Sequence, residues 1–361
     1  MEKIAFIINS FGGGGAEKVT QQLLEYILST NSAEIHLVLL NNDDIEYELP
    51  SQVIVHRLGG KSIRYVEYFL LLWKALKLAN LLSANKIDHS ISMLFRANVC
   101  NVMSKLFGNK NQIVISERSF SNFNSGNNLL INKLITFFYS KADRIIAISH
   151  GIKESLVSDF HLNASKIIVI HNPVKLNRYS VLPVQKENVE YISVGRLISL
   201  KNHELLIKAF SACVDINPKA KLIILGDGPL KEKLQGLVCS LSLQNHVTLT
   251  GFVENPGEYL KQSDIFVFSS LVEGFGNAIT EAMSYGLPVI STNCPSGPSE
   301  ILSGGDYGVL VKNDNVEELS RSMIKLMESL ELRQHYSLMS QKRVLDFEIS
   351  KIAEKYIKTI R

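Results

Sequence analysis

The 361-residue chain has little charge of either sign in excess: 38 lysines and arginines stand against 35 aspartates and glutamates, a net +3. That excludes the strong basic surplus expected of a nucleic-acid binder and requires any anion site to be local. Cysteine is scarce as well. Cys100, Cys213, Cys239 and Cys294 are scattered, with neither C-x-x-C nor metal-finger spacing, and read as reduced thiols of a cytoplasmic protein. No D-x-D stretch is present, so no acidic metal-binding pair is predicted. Long apolar runs are missing too. The most lipid-like stretch, residues 65–82, is broken by Glu67, Lys74 and Lys77 and falls short of the roughly 20 apolar residues of a membrane span. The opening MEKIAFIINSFGGGG puts a lone Lys before a short apolar run that ends in glycines, without a cleavage site. It predicts a first β-strand, not a secretion signal.

What is there is a repeated alternation. Short apolar runs KIAFIIN, EIHLVLL, DHSISML, QIVISE, RIIAIS and KIIVIHNPV alternate with helical periodicity over 16–28, 66–82, 97–107, 130–139 and after Ser149. After 175–188, which carries Pro183 and little periodicity, the pattern restarts with YISVG, KLIILG, HVTLTG, DIFVFS and LPVIS. Helices should begin near His203, Leu230, Pro256 and Asn277, and two more should span 316–330 and 332–361, interrupted near Asp346. Strand, helix, strand repeated this way builds parallel sheets covered on both faces. The expected fold class is α/β, with two Rossmann-like doubly wound domains facing a cleft. Their predicted bounds are 1–178 with 346–361 crossing back, and 179–345. Ligands bind such sheets outside the carboxyl ends of the strands.

The most informative segment is EGFGNAITEAMSYGLPVIS, 273–291. Gly274 and Gly276 permit close backbone approach to a ligand, Asn277 is placed to cap the following helix, Gly286 to end it, and Pro288 to open a strand. Unpaired N–H groups and about half a positive charge at a helix N-terminus suit a diphosphate. Glu273 stands before this terminus and Glu281 about one turn inside. Two glutamates eight apart arise often by chance, as a loop acid and a satisfied helix residue, but this pair is set in G-F-G-N and followed by Y-G-L-P-V.

With GGGGAE (12–17), HNPV (171–174), SVGRLISLKNH (193–203), GDGP (226–229), GF (251–252) and PSGPSEI (295–301) in the same order, the chain resembles the retaining glycosyltransferases of family four. The resemblance extends over nearly the whole sequence. It implies the GT-B architecture, with an acceptor-binding first domain and a nucleotide-sugar-binding second domain. In that family the E-x7-E element holds the donor. Glu273 and Glu281 would take the transferred sugar and the ribose, with the diphosphate between them, against Gly274, Phe275, Gly276 and Asn277. Arg196 and Lys201 look like the cation pair that neutralises the diphosphate; the plainer reading is two solvated basic residues. Gly14, Gly15 and Glu17 resemble the family's glycine loop near the transfer centre. Glu17 stands where the last glycine of G-x-G-x-x-G would be, which disfavours a nicotinamide site.

In ISERS, Arg118 occupies the place of a histidine common in related chains, and a guanidinium cannot accept a proton at neutral pH. Arg118 is expected to position substrate, and Glu117 either faces the cleft or caps a turn. Phe252 and Val253 would pack on a nucleobase or in the core; Asp227 is expected in a turn, and Glu300 beside the donor pocket. His150, His171 and His203 lack ligand spacing, so no metal and no other cofactor is expected. The implied reaction moves a sugar, an N-acetylhexosamine or hexose, from a UDP-linked donor to a saccharide acceptor, polyprenyl-diphosphate-linked, in bacterial surface-polysaccharide assembly. Such an acceptor calls for peripheral contact with the inner face of the cytoplasmic membrane. The segment 61–82, with Lys61, Arg64, Phe69, Trp73, Lys74 and Lys77, and the apolar stretch 129–139 could lie on that interface or pack on the sheet. A sugar-nucleotide epimerase and a non-catalytic nucleotide-binding protein fit the same architecture.

Overall fold

The computed structural model describes residues 2–12, 14–43, 45–59, 67–119, 129–177 and 182–361. Gly13, Lys61 and Arg64 of the expected loop and interfacial segment, and the side chain of Phe69, lie outside the described residues. The chain divides into two compact units, Met1–Pro173 with Ile349–Arg361, and Val174–Glu348.

In the first unit seven strands form a parallel sheet: β1 (Lys3–Ile8), β2 (Glu34–Leu39), β3 (Ile54–Arg57), β4 (His89–Met93), β5 (Gln112–Glu117), β6 (Arg144–Ala147) and β7 (Ile167–Val169), in the order β3-β2-β1-β4-β5-β6-β7. Strand β1 lies between β2 and β4, with Phe6 level with Leu37 on one side and Ile91 on the other. Helices cover both of its faces, which is why Ile4 to Ile8 is an unbroken apolar run with every side chain buried. The helix Gly15–Ser29 presents Val19, Leu23, Leu24 and Ile27 to this core.

The second unit carries β8 (Glu190–Val194), β9 (Lys221–Leu225), β10 (Val247–Gly251), β11 (Ile265–Phe268), β12 (Val289–Thr292) and β13 (Val309–Val311), again parallel, in the order β10-β9-β8-β11-β12-β13. Tyr191, Leu222, Ile224, Ile265 and Ile290 meet Leu206, Phe210 and Met323 from the helices in its core. Each unit is a doubly wound α/β domain, so the expected fold class stands. Two strands escaped the sequence reading, β3 and β13. Both are short edge strands, and Ile54 and Val55 of β3 are exposed, so neither shows the long apolar run that marks a central strand.

The bounds of the terminal helices shift as well. The terminal helices are Val316–Glu328, Leu330–Val344 and Ile349–Ile360, separated at Ser329, whose hydroxyl accepts from the Leu332 N–H at 3.2 Å, and by a 3-10 turn at Leu345–Phe347. Arg333, fully buried, donates to the carbonyls of Leu326 and Met327 and so closes the first of them. The last helix belongs to the first unit, where Ile352, Ala353, Tyr356 and Ile360 pack into the β1 core.

Candidate active site

In the second unit the chain runs outward from β8 to β10, then restarts at β11 on the other side of β8. The loops that leave β8 and β11 therefore diverge, and a crevice opens at their carboxyl ends. The loop after β8, residues 195–202, holds Arg196 and Lys201. Neighbouring backbone fixes it from both sides. The Gly195 N–H donates to Leu225 O at 2.9 Å, Leu197 N–H to Asp227 O at 2.9 Å, Leu230 N–H to Leu197 O at 3.0 Å, and Leu271 N–H to Leu200 O at 2.8 Å. Glycine is obligatory where GDGP crosses beneath: a Cβ on Gly226 (φ +143°) would stand 2.0 Å from Gly195 O. Asp227 makes the expected turn, its carboxylate accepting from the Gly228 N–H at 2.7 Å.

The loop after β11 brings Glu273 to Lys201, and the two form an ion pair. Ser269 Oγ donates to Lys201 O at 2.9 Å, so the pair is anchored through backbone as well. Arg196 is exposed and has no ion pair among the described residues. One cation is thus held in place and the other is open to solvent. Gly276, at φ +107°, turns the chain into the helix Asn277–Ser284. Asn277 is the first helical residue; Gly276 is the cap and offers no side-chain acceptor, so the assignment of Asn277 as cap is corrected. Gly276, as the cap, brings no side chain toward the first N–H groups of this helix. Glu281 lies half-buried one turn inside, close enough to Tyr285 that its charge adds to burial in raising the phenol. The PSGPSE loop supports the turn: Ser296 Oγ donates to Gly274 O at 3.0 Å, and a Cβ on Gly297 would meet Phe275 O at 1.8 Å. Arg343 holds that loop's end through the carbonyls of Glu300 and Ile301.

Two of the expected contact residues separate. Phe275 is buried against Phe347, rings 5.6 Å apart, so its side chain belongs to the core and only its backbone borders the turn. Phe252, leaving β10, is 77% exposed, and Val253 is half-buried. A large aromatic ring left in water at a strand exit suits a planar ligand, not core packing.

The first unit's loops are built differently. Glu117, ending β5, is buried and accepts from the N–H groups of Arg118 and Ser119, each at 3.0 Å, from Ser119 Oγ at 2.8 Å and from Tyr139 Oη at 2.7 Å. Of the two roles open to it, these bonds give it the turn cap. Arg118 is buried and donates to Asn172 Oδ1 at 2.5 Å and Tyr356 Oη at 3.3 Å. Glu17 folds back over Gly14, where a Cβ would sit 2.2 Å from its Oε2. Burial raises the Glu17 carboxyl above the usual range, while its own backbone N–H and the Arg118 charge pull it down. Gly15 begins the helix after this loop. Asn172 and Tyr356 were missed as site residues. Asn172 stands in the quoted HNPV, but nothing local to position 356 signals a partner 238 residues earlier.

His203 is buried beside Lys201, and both effects push its pKa down to about 4, so the ring is neutral. His150 and His171 face each other at 6.3 Å. Among the described residues no three His, Cys, Asp or Glu side chains are grouped to hold a metal ion. Burial pushes the thiols of Cys100, Cys213 and Cys294 up to about 12, leaving them unreactive.

The helix Glu67–Ala84 has two apolar sides. Ala75, Leu78, Ala79 and Leu82 are buried, while Leu72, Trp73 and Leu76 are exposed, with Lys77 Nζ 3.7 Å above the Trp73 ring. In the helix Leu129–Tyr139, Phe137 is exposed beneath Lys141. No described helix is long and apolar enough to cross a membrane.

With this geometry in place, comparison with known proteins decides the family. Residues 13–178 match the family described as Glycosyltransferase Family 4, and 179–343 that described as Glycosyl transferases group 1. The chain is 35% identical, over 99% of its length and 99% of the relative's, to the N-acetylgalactosamine-N,N'-diacetylbacillosaminyl-diphospho-undecaprenol 4-alpha-N-acetylgalactosaminyltransferase of Campylobacter jejuni. The protein belongs to the family 4 glycosyltransferases. A second C. jejuni relative, a GalNAc-alpha-(1->4)-GalNAc-alpha-(1->3)-diNAcBac-PP-undecaprenol alpha-1,4-N-acetyl-D-galactosaminyltransferase, is 24% identical over 100% of this chain and 98% of its own. Among solved structures, Anabaena HepE in complex with UDP and glucose matches with a TM-score of 0.81 at 20% identity, covering 99% of both chains. That likeness shows the GT-B fold. This glycosyltransferase therefore carries Arg196, Lys201, Glu273 and Glu281 on one domain, around one helix terminus, and Gly14, Glu17 and Arg118 on the other.

Proposed function

We propose that this glycosyltransferase moves an N-acetylhexosamine from a UDP-linked donor to a polyprenyl-diphosphate-linked saccharide in bacterial surface-polysaccharide assembly, with retention at the anomeric carbon and without a metal. The observation that carries the reading is the Lys201–Glu273 pair at the β8/β11 switch point, beside the helix terminus that Gly276 caps. Lys201, Arg196 and the N–H groups after Gly276 receive the donor diphosphate. Glu273 hydrogen-bonds the transferred sugar, Glu281 accepts from the ribose hydroxyls, and Phe252 packs on the uracil.

As the bond from the anomeric carbon to the diphosphate oxygen breaks, negative charge builds on the leaving group. The held Lys201, the solvent-facing Arg196 and the helix terminus stabilise that charge more than they stabilise the ground state, which is what accelerates the step. The acceptor oxygen bonds to the same face of the anomeric carbon, and its proton passes to the departing phosphate. The printed activities of the two C. jejuni relatives support the donor sugar and the lipid-linked acceptor. The exposed Leu72, Trp73 and Leu76, flanked by Lys77, support peripheral docking on the cytoplasmic face of an anionic membrane.

A thermal-shift panel of UDP, GDP, ADP and their sugars tests the donor. UDP and UDP-N-acetylhexosamines should raise the midpoint and the others leave it unchanged; a shift with GDP or ADP alone would refute the assignment. UDP release in the presence of acceptor should continue in excess EDTA. Loss of activity that magnesium restores would overturn the metal-free mechanism, and an isomerised sugar without transfer would indicate an epimerase.

A further inference from the structure

The C-terminal helix Ile349–Ile360 packs in the first unit against the helix Gly15–Ser29 and strands β4 and β5. Most of its buried face is plain hydrocarbon: Ile352, Ala353 and Ile360. Tyr356 differs. It is 0% exposed and carries a hydroxyl into that core, where burying a polar group is unfavourable unless it finds a partner. Phenylalanine would fill the same space without that penalty. The hydroxyl's partner is the Arg118 guanidinium, 3.3 Å from Nη1, while Nη2 donates to Asn172 Oδ1 at 2.5 Å and Met93 Sδ lies 3.9 Å from Nη1.

These contacts fix the guanidinium from several sides. Tyr356 comes from the end of the chain, Asn172 from the exit of β7, and Met93 from the end of β4. A guanidinium has five N–H groups in a rigid plane, so contacts at both ends of the fork determine where the remaining donors point. Arg118 keeps 8% of its surface exposed, and its charge reaches Glu17 in the glycine loop.

We infer that Tyr356 is a positioning residue for the acceptor: its hydroxyl, together with Asn172, sets the plane of the Arg118 guanidinium and makes the terminal helix part of the acceptor-binding machinery. This rests on the proposed role of Arg118 in positioning the acceptor. Tyr356 touches no substrate and acts through Arg118 alone.

The test compares Tyr356→Phe, Arg118→Met and the double variant. UDP release would be followed with N-acetylgalactosamine-N,N'-diacetylbacillosaminyl-diphospho-undecaprenol as acceptor, and hydrogen exchange would be followed in peptides covering 112–119 and 170–174. Tyr356→Phe should raise the acceptor KM about tenfold, as expected for losing a hydrogen bond to a charged group. Donor KM and thermal midpoint should stay unchanged, and exchange should quicken in those two segments without change in 349–360. The double variant should be no worse than Arg118→Met, because the two residues act as one unit. If Arg118→Met raises the acceptor KM and Tyr356→Phe does not, the inference fails while the role of Arg118 survives. If Arg118→Met leaves it unchanged, the role of Arg118 falls first and the inference with it. Donor and acceptor KM rising together with a lowered midpoint, or unchanged exchange in both segments, would make Tyr356 a packing residue only.

Discussion

The loops at the carboxyl ends of the two sheets use the same ingredients, glycines and charged side chains after short strands, to opposite effect. In the second unit charge is left available: Arg196 faces solvent, Lys201 is held by one carboxylate, and the cap of the following helix is Gly276, which has no side chain. In the first unit charge is absorbed by the protein. Glu117 has four donors, Arg118 is fixed by Asn172 and Tyr356, and Glu17 lies buried over Gly14. A site that binds a diphosphate gains from cations left within reach of an incoming anion. A site that receives a neutral saccharide hydroxyl gains from rigid orientation, and buried, mutually bonded groups supply that.

The largest effect that could break this contrast is on turnover. Lys201→Ala should lower kcat about 100- to 1,000-fold, the range seen when one preorganised donor to a developing negative charge is removed, with little change in acceptor KM. A loss expressed only as a raised acceptor KM would erase the distinction between the units. Next comes backbone. Gly297→Ala forces a Cβ to within 1.8 Å of Phe275 O at φ +90° and should destabilise the second unit by about 2 kcal/mol or more, read as a lower denaturation midpoint. Gly14→Ala meets only the flexible end of Glu17 and should shift the midpoint by less than about 1 kcal/mol. Equal effects would show the first unit's loop to be as tightly built as the second's. The smallest is Phe252→Ala, which should weaken UDP binding about fivefold in titration calorimetry without altering the midpoint, as for loss of one stacking face. A lowered midpoint with unchanged UDP affinity would return Phe252 to a packing role.

Much of the second unit was legible in the sequence because its chemistry is local. Arg196 and Lys201 are five positions apart on one loop, Glu273 and Glu281 bracket one helix start, and the glycines that permit their approach lie beside them. Their pairing across the switch point was not legible, since it depends on β8 and β11 being neighbours. Asn277 was misread as a cap because an Asn at a helix start ordinarily fills that position, but Gly276, with its positive φ, takes it here. Phe275 sits between two glycines that face the turn, yet its side chain points to Phe347, which sequence periodicity in a loop cannot reveal. The first unit resisted more. Glu117 has the same residue type and strand-exit position as a catalytic acid, and only its four donors disclose the turn role. Tyr356 reaches Arg118 through the return of the terminal helix, a contact no local pattern encodes.

The most direct test is a crystal structure of the protein with UDP. The diphosphate should lie within hydrogen-bonding distance of Lys201, Arg196 and the N–H groups that follow Gly276, with the ribose on Glu281. A diphosphate bound elsewhere, with Lys201 still joined only to Glu273, would contradict the account.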